Sequence, residues 1–90
     1  MINSKGDNMA KKLSPDGTKN LIGKRIRELR KAQNLSQEDL MGQLQLMGFD
    51  SERGVIKRIE NGTRFVSDIE VQAFSKLFNA TYEYLIDGEE

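Results

Sequence analysis

Ninety residues with 14 basic and 14 acidic side chains make at most one small domain, and a net charge of zero does not by itself point to a polyanionic partner. The absence of cysteine excludes disulfides, zinc–thiolate sites and thiol catalysis, and the absence of histidine removes the commonest general base and metal ligand. No apolar run approaches bilayer length and no secretory pattern opens the chain, so a cytoplasmic protein is expected.

The charge is unevenly placed. Residues 1–64 carry 13 Lys/Arg against 8 Asp/Glu, a balance of +5, and residues 65–90 carry 1 against 6, a balance of −5. A basic front and an acidic back would orient the molecule toward a polyanion, although an ordinary solvated surface is compatible with the same counts.

In chain order, residues 1–18 are polar, hold the only proline and show no helical or strand period, so they read as a flexible tail. A domain over residues 19–88 follows. Ile22, Ile26 and Leu29 fall on one face of a first helix, with Lys24, Arg25, Arg27 and Lys31 on the others, and Asn34 ends it. Ser36 is the expected N-cap of a second helix, with Asp39 completing an imperfect capping box. Leu40 and Leu44 give that helix its apolar face, and Gln45, Leu46 and Met47 extend it by almost a turn before Gly48.

Asp50 or Ser51 is the expected cap of a third helix, over about residues 51–60, with Ile56 and Ile59 as its apolar face and Val55 beside them. Asn61-Gly62 closes it. Ser67-Asp68-Ile69-Glu70 is a capping box for a fourth helix bearing Val71, Phe74, Leu77 and Phe78, and Thr81 caps a short fifth, Tyr82 to Ile86. Five short helices without a strand pattern predict an all-α fold, a compact five-helix bundle.

The stretch from 22 to 65 holds the functional signal. A capped second helix precedes a third whose outward positions include Arg53, Lys57 and Arg58. An α-helix fits the DNA major groove, where Arg or Lys reaches guanine N7 and O6, while a preceding helix braces it across the backbone. Gln37, at the start of the second helix, is placed to meet a phosphate with its amide and the free backbone N–H groups there.

Taken in order, IGKRIRELRKAQNLSQEDL, VIKRIENG and FNATYEYLIDG resemble the Cro/phage-repressor (XRE) helix-turn-helix family over roughly residues 20–88. The resemblance implies a lambda-repressor-like fold and a transcriptional regulator, a repressor, that binds double-stranded DNA in a sequence-specific way. It implies that Arg53, Gly54, Val55 and Arg58 face base edges, and that Ser36, Gln37, Lys57, Asn61 and Arg64 hold phosphates. Arg30 and Glu60 look like the family's ion pair, which would also aim Arg30 at the backbone.

The sequence departs from the family pattern in two places. The connection from Leu44 to Ile56 is about five residues longer than usual, with Phe49 expected to fold back onto the core. Met41 stands where the family prefers alanine, with Gly42 beside it to relieve crowding, and Gly54 inside a recognition helix would cost about 1 kcal/mol against alanine.

The expected partners are double-stranded DNA and a weakly bound second copy, met through the C-terminal helix by Tyr82, Tyr84, Leu85 and Ile86, with half-sites about one helical turn apart. A protein-interaction or antitoxin-like module on the same helical fold is the competing reading. An enzyme ranks last, with no catalytic constellation, metal cluster, cofactor motif or small-molecule site in the sequence.

Overall fold

The computed structural model describes residues 13–49 and 52–89, and within them five helices follow one another: α1 Gly23–Ala32, α2 Gln37–Leu46, α3 Val55–Glu60, α4 Asp68–Phe78 and α5 Tyr82–Asp87. No strand occurs among the described residues, so the fold is all-helical. Helix α2 packs on α3, α1 packs on α3 and α5, and α4 packs on α5.

Caps set most of the helix starts. Ser36 accepts from the Asp39 amide while Asp39 accepts from the Ser36 amide, so the capping box that looked imperfect in the sequence is closed in both directions. Aspartate therefore serves in place of the usual glutamate. Ser67 and Glu70 form the same reciprocal pair at α4, and the Thr81 hydroxyl caps α5. Asn34 and Asn79 adopt the left-handed conformation where α1 and α4 stop, a conformation asparagine tolerates better than most residues.

The core is the set the helical periods select. Ile22, Ile26, Leu40, Leu44, Ile56, Ile59, Phe74, Phe78 and Leu85 are buried, and Phe74 and Phe78 stack with centroids 6.4 Å apart. Each such side chain contributes about 1.5–3 kcal/mol on leaving water. Phe49 packs against this cluster as expected, at the end of the long α2–α3 connection. Leu85, assigned in the sequence to a surface between two copies, is fully buried and belongs to the core instead.

Two boundaries differ from the sequence reading. Of the expected tail, residues 1–12 lie outside the described residues, but 13–18 contain a hydrogen-bonded turn. Ser14 accepts from the Gly17 amide and donates through its own amide to the Thr18 carbonyl. Asp16 accepts from the Thr18 hydroxyl and amide. The Ser14 hydroxyl also donates to Asp16 Oδ1, and the bonds to this carboxylate, that from Ser14 foremost, hold its pKa down at about 2. The chain then crosses to the end of α3, where the Lys19 amide donates to the Gly62 carbonyl at 2.8 Å.

Helix α3 begins at Val55, later than expected, and the caps expected at Asp50 or Ser51 lie outside the described residues. Gly54 stands before the helix at φ +82°, so it is a left-handed lead-in residue that incurs no helix-interior penalty.

Gly23 fixes how α1 meets α3. A Cβ there would fall on the Ile59 carbonyl oxygen, so only glycine lets the first turn of α1 lie against the last turn of α3. Gly42 is the opposite case, since a Cβ there meets nothing within 4 Å, and the idea that it relieves crowding beside Met41 does not hold. Gly23→Ala is therefore expected to destabilise the fold by about 1–3 kcal/mol through overpacking. Gly42→Ala is expected to stabilise it by about 0.5–1 kcal/mol through helix propensity. Urea unfolding of the two variants beside the parent chain checks both, and equal effects of the same sign would contradict the packing described.

Candidate nucleic-acid interface

The end of α3 is organised around one carboxylate. The Glu60 side chain is only 2% exposed and accepts from Arg30 twice, from Nε at 2.7 Å and from Nη2 at 3.0 Å. Arg30 also donates from Nη1 to the Leu35 carbonyl at 2.8 Å, in the turn between α1 and α2. The Glu60 hydrogen bond raises the Arg30 pKa against the opposing effect of burial. Gln37 adds a third donor, from Nε2 to Glu60 Oε1 at 3.1 Å. One buried acid thus ties α1, the α1–α2 turn and the first residue of α2 to α3.

This geometry changes the roles of two expected phosphate ligands. Arg30 is buried with all three guanidinium nitrogens engaged inside the protein, so its part is to hold the helix pair together. Gln37 keeps one N–H turned inward to Glu60, leaving its other N–H and its carbonyl oxygen for a ligand. Ser36 is exposed at the α2 N-cap, with its hydroxyl accepting from the Asp39 amide. The hydrogen bonds from the Ser36 amide and hydroxyl hold the Asp39 carboxyl below its usual range.

The approach to α3 carries the exposed cations. Arg53 and Lys57 are exposed and line an open surface groove together with Gln37 and Glu38 of α2, Met41 and Gly54. Arg58 is half-buried, because helical side chains lean toward the N-terminus and its guanidinium lies back over Gly54. Val55 is buried in the core, so the expectation that it faces base edges is corrected: the first helical residue of α3 points inward.

Beyond α3, Asn61 is exposed at the helix C-cap, as a phosphate contact would require. Arg64 is not free in the same way. Its Nη1 and Nη2 meet the two Glu70 oxygens at 3.1 and 3.0 Å, and Nη1 also donates to the Phe65 carbonyl. Burial pushes the Glu70 carboxyl up, but Arg64 and the Ser67 amide outweigh it and hold the group below its usual range. Arg64 therefore fastens the capping box of α4, a role that the family resemblance did not suggest.

Asn20 was not singled out in the sequence, yet it organises the α3 exit. Its Nδ2 donates to the Ile59 and Arg64 carbonyls, and its Oδ1 accepts from the Gly23 amide. An asparagine just before Leu21 and Ile22 is a helix-start signal that could have pointed to the Gly23 bond, but nothing local signals its bonds to the Ile59 and Arg64 carbonyls. Nothing in the described residues groups three or more metal-ligating side chains, and no described helix is long and apolar enough to cross a membrane.

The Arg30–Glu60 and Arg64–Glu70 pairs are expected to behave differently. Arg30→Met would leave the Glu60 carboxylate buried with Gln37 as its remaining donor, at a cost of about 3–5 kcal/mol, most of which a paired Arg30→Met/Glu60→Leu replacement should recover. Arg64→Ala is expected to cost about 1 kcal/mol at neutral pH. Because the folded-state Glu70 pKa is lowered, its stabilisation is present above the ordinary glutamate range and fades as pH falls through the folded value. The Arg64→Ala cost should therefore shrink at pH 3. Denaturation of each variant at pH 7 and pH 3 tests both expectations, and a cost for Arg64→Ala that grows in acid would contradict the second. Compared with family models, curated proteins and solved structures, the chain matches none.

Proposed function

We propose that this chain is a sequence-specific double-stranded DNA-binding protein of the lambda-repressor-like, Cro/phage-repressor type, acting as a transcriptional repressor. The observation that carries the reading is the shared groove, which brings Gln37 at the start of α2 beside exposed Arg53 and Lys57 at the start of α3. An α-helix with its side chains is about 10–12 Å across, which a major groove about 12 Å wide admits, and the six residues of α3 would present their exposed side there. Arg53 and Arg58 then take base edges, while Lys57, Ser36, Gln37 and Asn61 take phosphates. The acidic half, residues 65–90, would face away from the duplex.

A domain of this size makes few base contacts, and pairing on a two-fold site would multiply them. The surface that favours self-association is the apolar groove between α4 and α5, where Ile69 and Tyr82 are exposed and Ile86 half-buried. Asp68 rims the same groove and would face a like charge, so the dimer is weak in solution and strengthened by DNA. The same groove also suits a different protein partner, and an antitoxin-like module would use it without contacting DNA.

Duplex binding measured across salt concentrations separates these readings. Affinity for DNA is expected to fall steeply between 50 and 200 mM salt, with a slope set by the phosphates neutralised. Lys57→Ala should weaken cognate and non-specific duplexes alike and reduce that slope by about one. Arg53→Ala should cost about 1–3 kcal/mol on the cognate site and relax preference at one base pair. Absence of duplex affinity at every salt concentration would refute DNA binding and leave the protein-interaction module. For the dimer, sedimentation on a palindromic duplex should give two chains per site, and a strictly 1:1 complex at saturation would remove it.

A further inference from the structure

Arg58 is not loose on the surface of α3. Its Nη1 donates to the Arg53 carbonyl at 3.3 Å and its Nη2 stands 3.6 Å from a Glu52 carboxylate oxygen. Gly54 lies beneath it, and a Cβ there would stand 3.1 Å from Nη1. The glycine therefore does two things at once: it takes a φ of +82° and leaves room for the guanidinium. Glu52 is 86% exposed on its side chain, outside any helix and away from the core. An acid in that position does nothing for packing, and an exposed pair of this kind contributes little to stability. Beside a polyanion it is a liability unless it recognises something.

We infer that Glu52 is a specificity-determining residue of the proposed DNA interface: it parks Arg58 in the free protein and accepts a hydrogen bond from cytosine N4 in the complex. This rests on the DNA-binding reading. A guanidinium has five N–H donors, so Arg58 can keep the Arg53 carbonyl while turning two others to guanine O6 and N7. A carboxylate is an acceptor only, and the major-groove group that suits it is the cytosine amino group. A duplex that offers no such donor near the guanine leaves the Glu52 charge facing acceptors and phosphates. The pair thereby selects a guanine with a neighbouring cytosine and penalises other sequences. The ligand is a duplex carrying adjacent guanine and cytosine at the position α3 reads.

Selection from random duplex DNA, with the full chain and its Glu52→Gln and Glu52→Asp variants, tests the role. Because Glu52 is exposed and outside the helices, both variants should melt at the parent temperature. Glu52→Gln is expected to raise non-specific duplex affinity about fivefold by removing the repelling charge. It should also lower discrimination for the cytosine about tenfold. Glu52→Asp keeps the charge but loses a methylene of reach, so it should retain the low non-specific affinity while losing the cytosine preference. A Glu52→Gln profile unchanged from the parent at every position would overturn the inference, whatever its non-specific affinity. Failure of the parent chain to bind duplex at any salt is a separate result, which refutes DNA binding itself and this role with it.

Discussion

The buried Glu60 carboxylate is the constraint on which the arrangement of the first three helices depends. A charge taken out of water is costly unless donors surround it, and here they come from two other elements: Arg30 of α1 and Gln37 of α2. Satisfying one acid therefore fixes the angle of α2 to α3 and seats the α1–α2 turn, whose Leu35 carbonyl takes the remaining Arg30 nitrogen. A purely apolar contact among three short helices would allow them to slide, whereas directional bonds to one carboxylate specify a single arrangement. The groove between Gln37 and Lys57 exists because of that specification.

Glycine placement supplies the complementary constraint. At Gly23 the backbone of α1 is brought against a carbonyl of α3, and at Gly54 a left-handed turn delivers the chain into α3 beneath the Arg58 side chain. Together they set both ends of α3. The long α2–α3 connection is absorbed without disturbing this. Helix α2 runs on to Leu46, Gly48 turns the chain at φ +93°, and Phe49 returns to the core.

The helices and the core could be read from the sequence because both follow from local rules. Apolar residues three and four apart, preceded by Ser36, Ser67 or Thr81, define amphipathic segments and their starts. The Arg30–Glu60 pair was also legible, through the family resemblance. What the sequence concealed were contacts between residues distant in the chain and irregular backbone. The Asn20 bonds to Ile59 and Arg64 show no pattern because those partners lie 39 and 44 residues away. The family resemblance assigns Val55 to base edges, but the apolar pattern sets it beside Ile56 and Ile59, and with Gly54 outside the helix Val55 is buried with them. The turn at Ser14-Pro15-Asp16-Gly17 did carry a signal, since proline followed by aspartate and glycine is a turn sequence, but the polar composition around it masked the signal.

The bond from Asn20 to the Arg64 carbonyl also bears on how the chain comes to be folded. It closes a loop of 44 residues that contains the whole of α1, α2 and α3. Loop-closure entropy must be met before such a bond is rewarded, whereas the capping boxes of α2 and α4 join residues only three apart. The helices and their nearest-neighbour contacts can therefore assemble first, with the strap from Thr18 to Asn20 closing over the end of α3 as a late event. In the native state the same order runs in reverse. Local opening would begin by lifting this strap, baring the last carbonyls of α3 to water while the Glu60 cluster still holds α2 and α3 together. Exchange of the Gly23 and Lys19 amides, which the strap protects, would then run ahead of exchange within α2, marking a boundary between two cooperative units inside a single small domain.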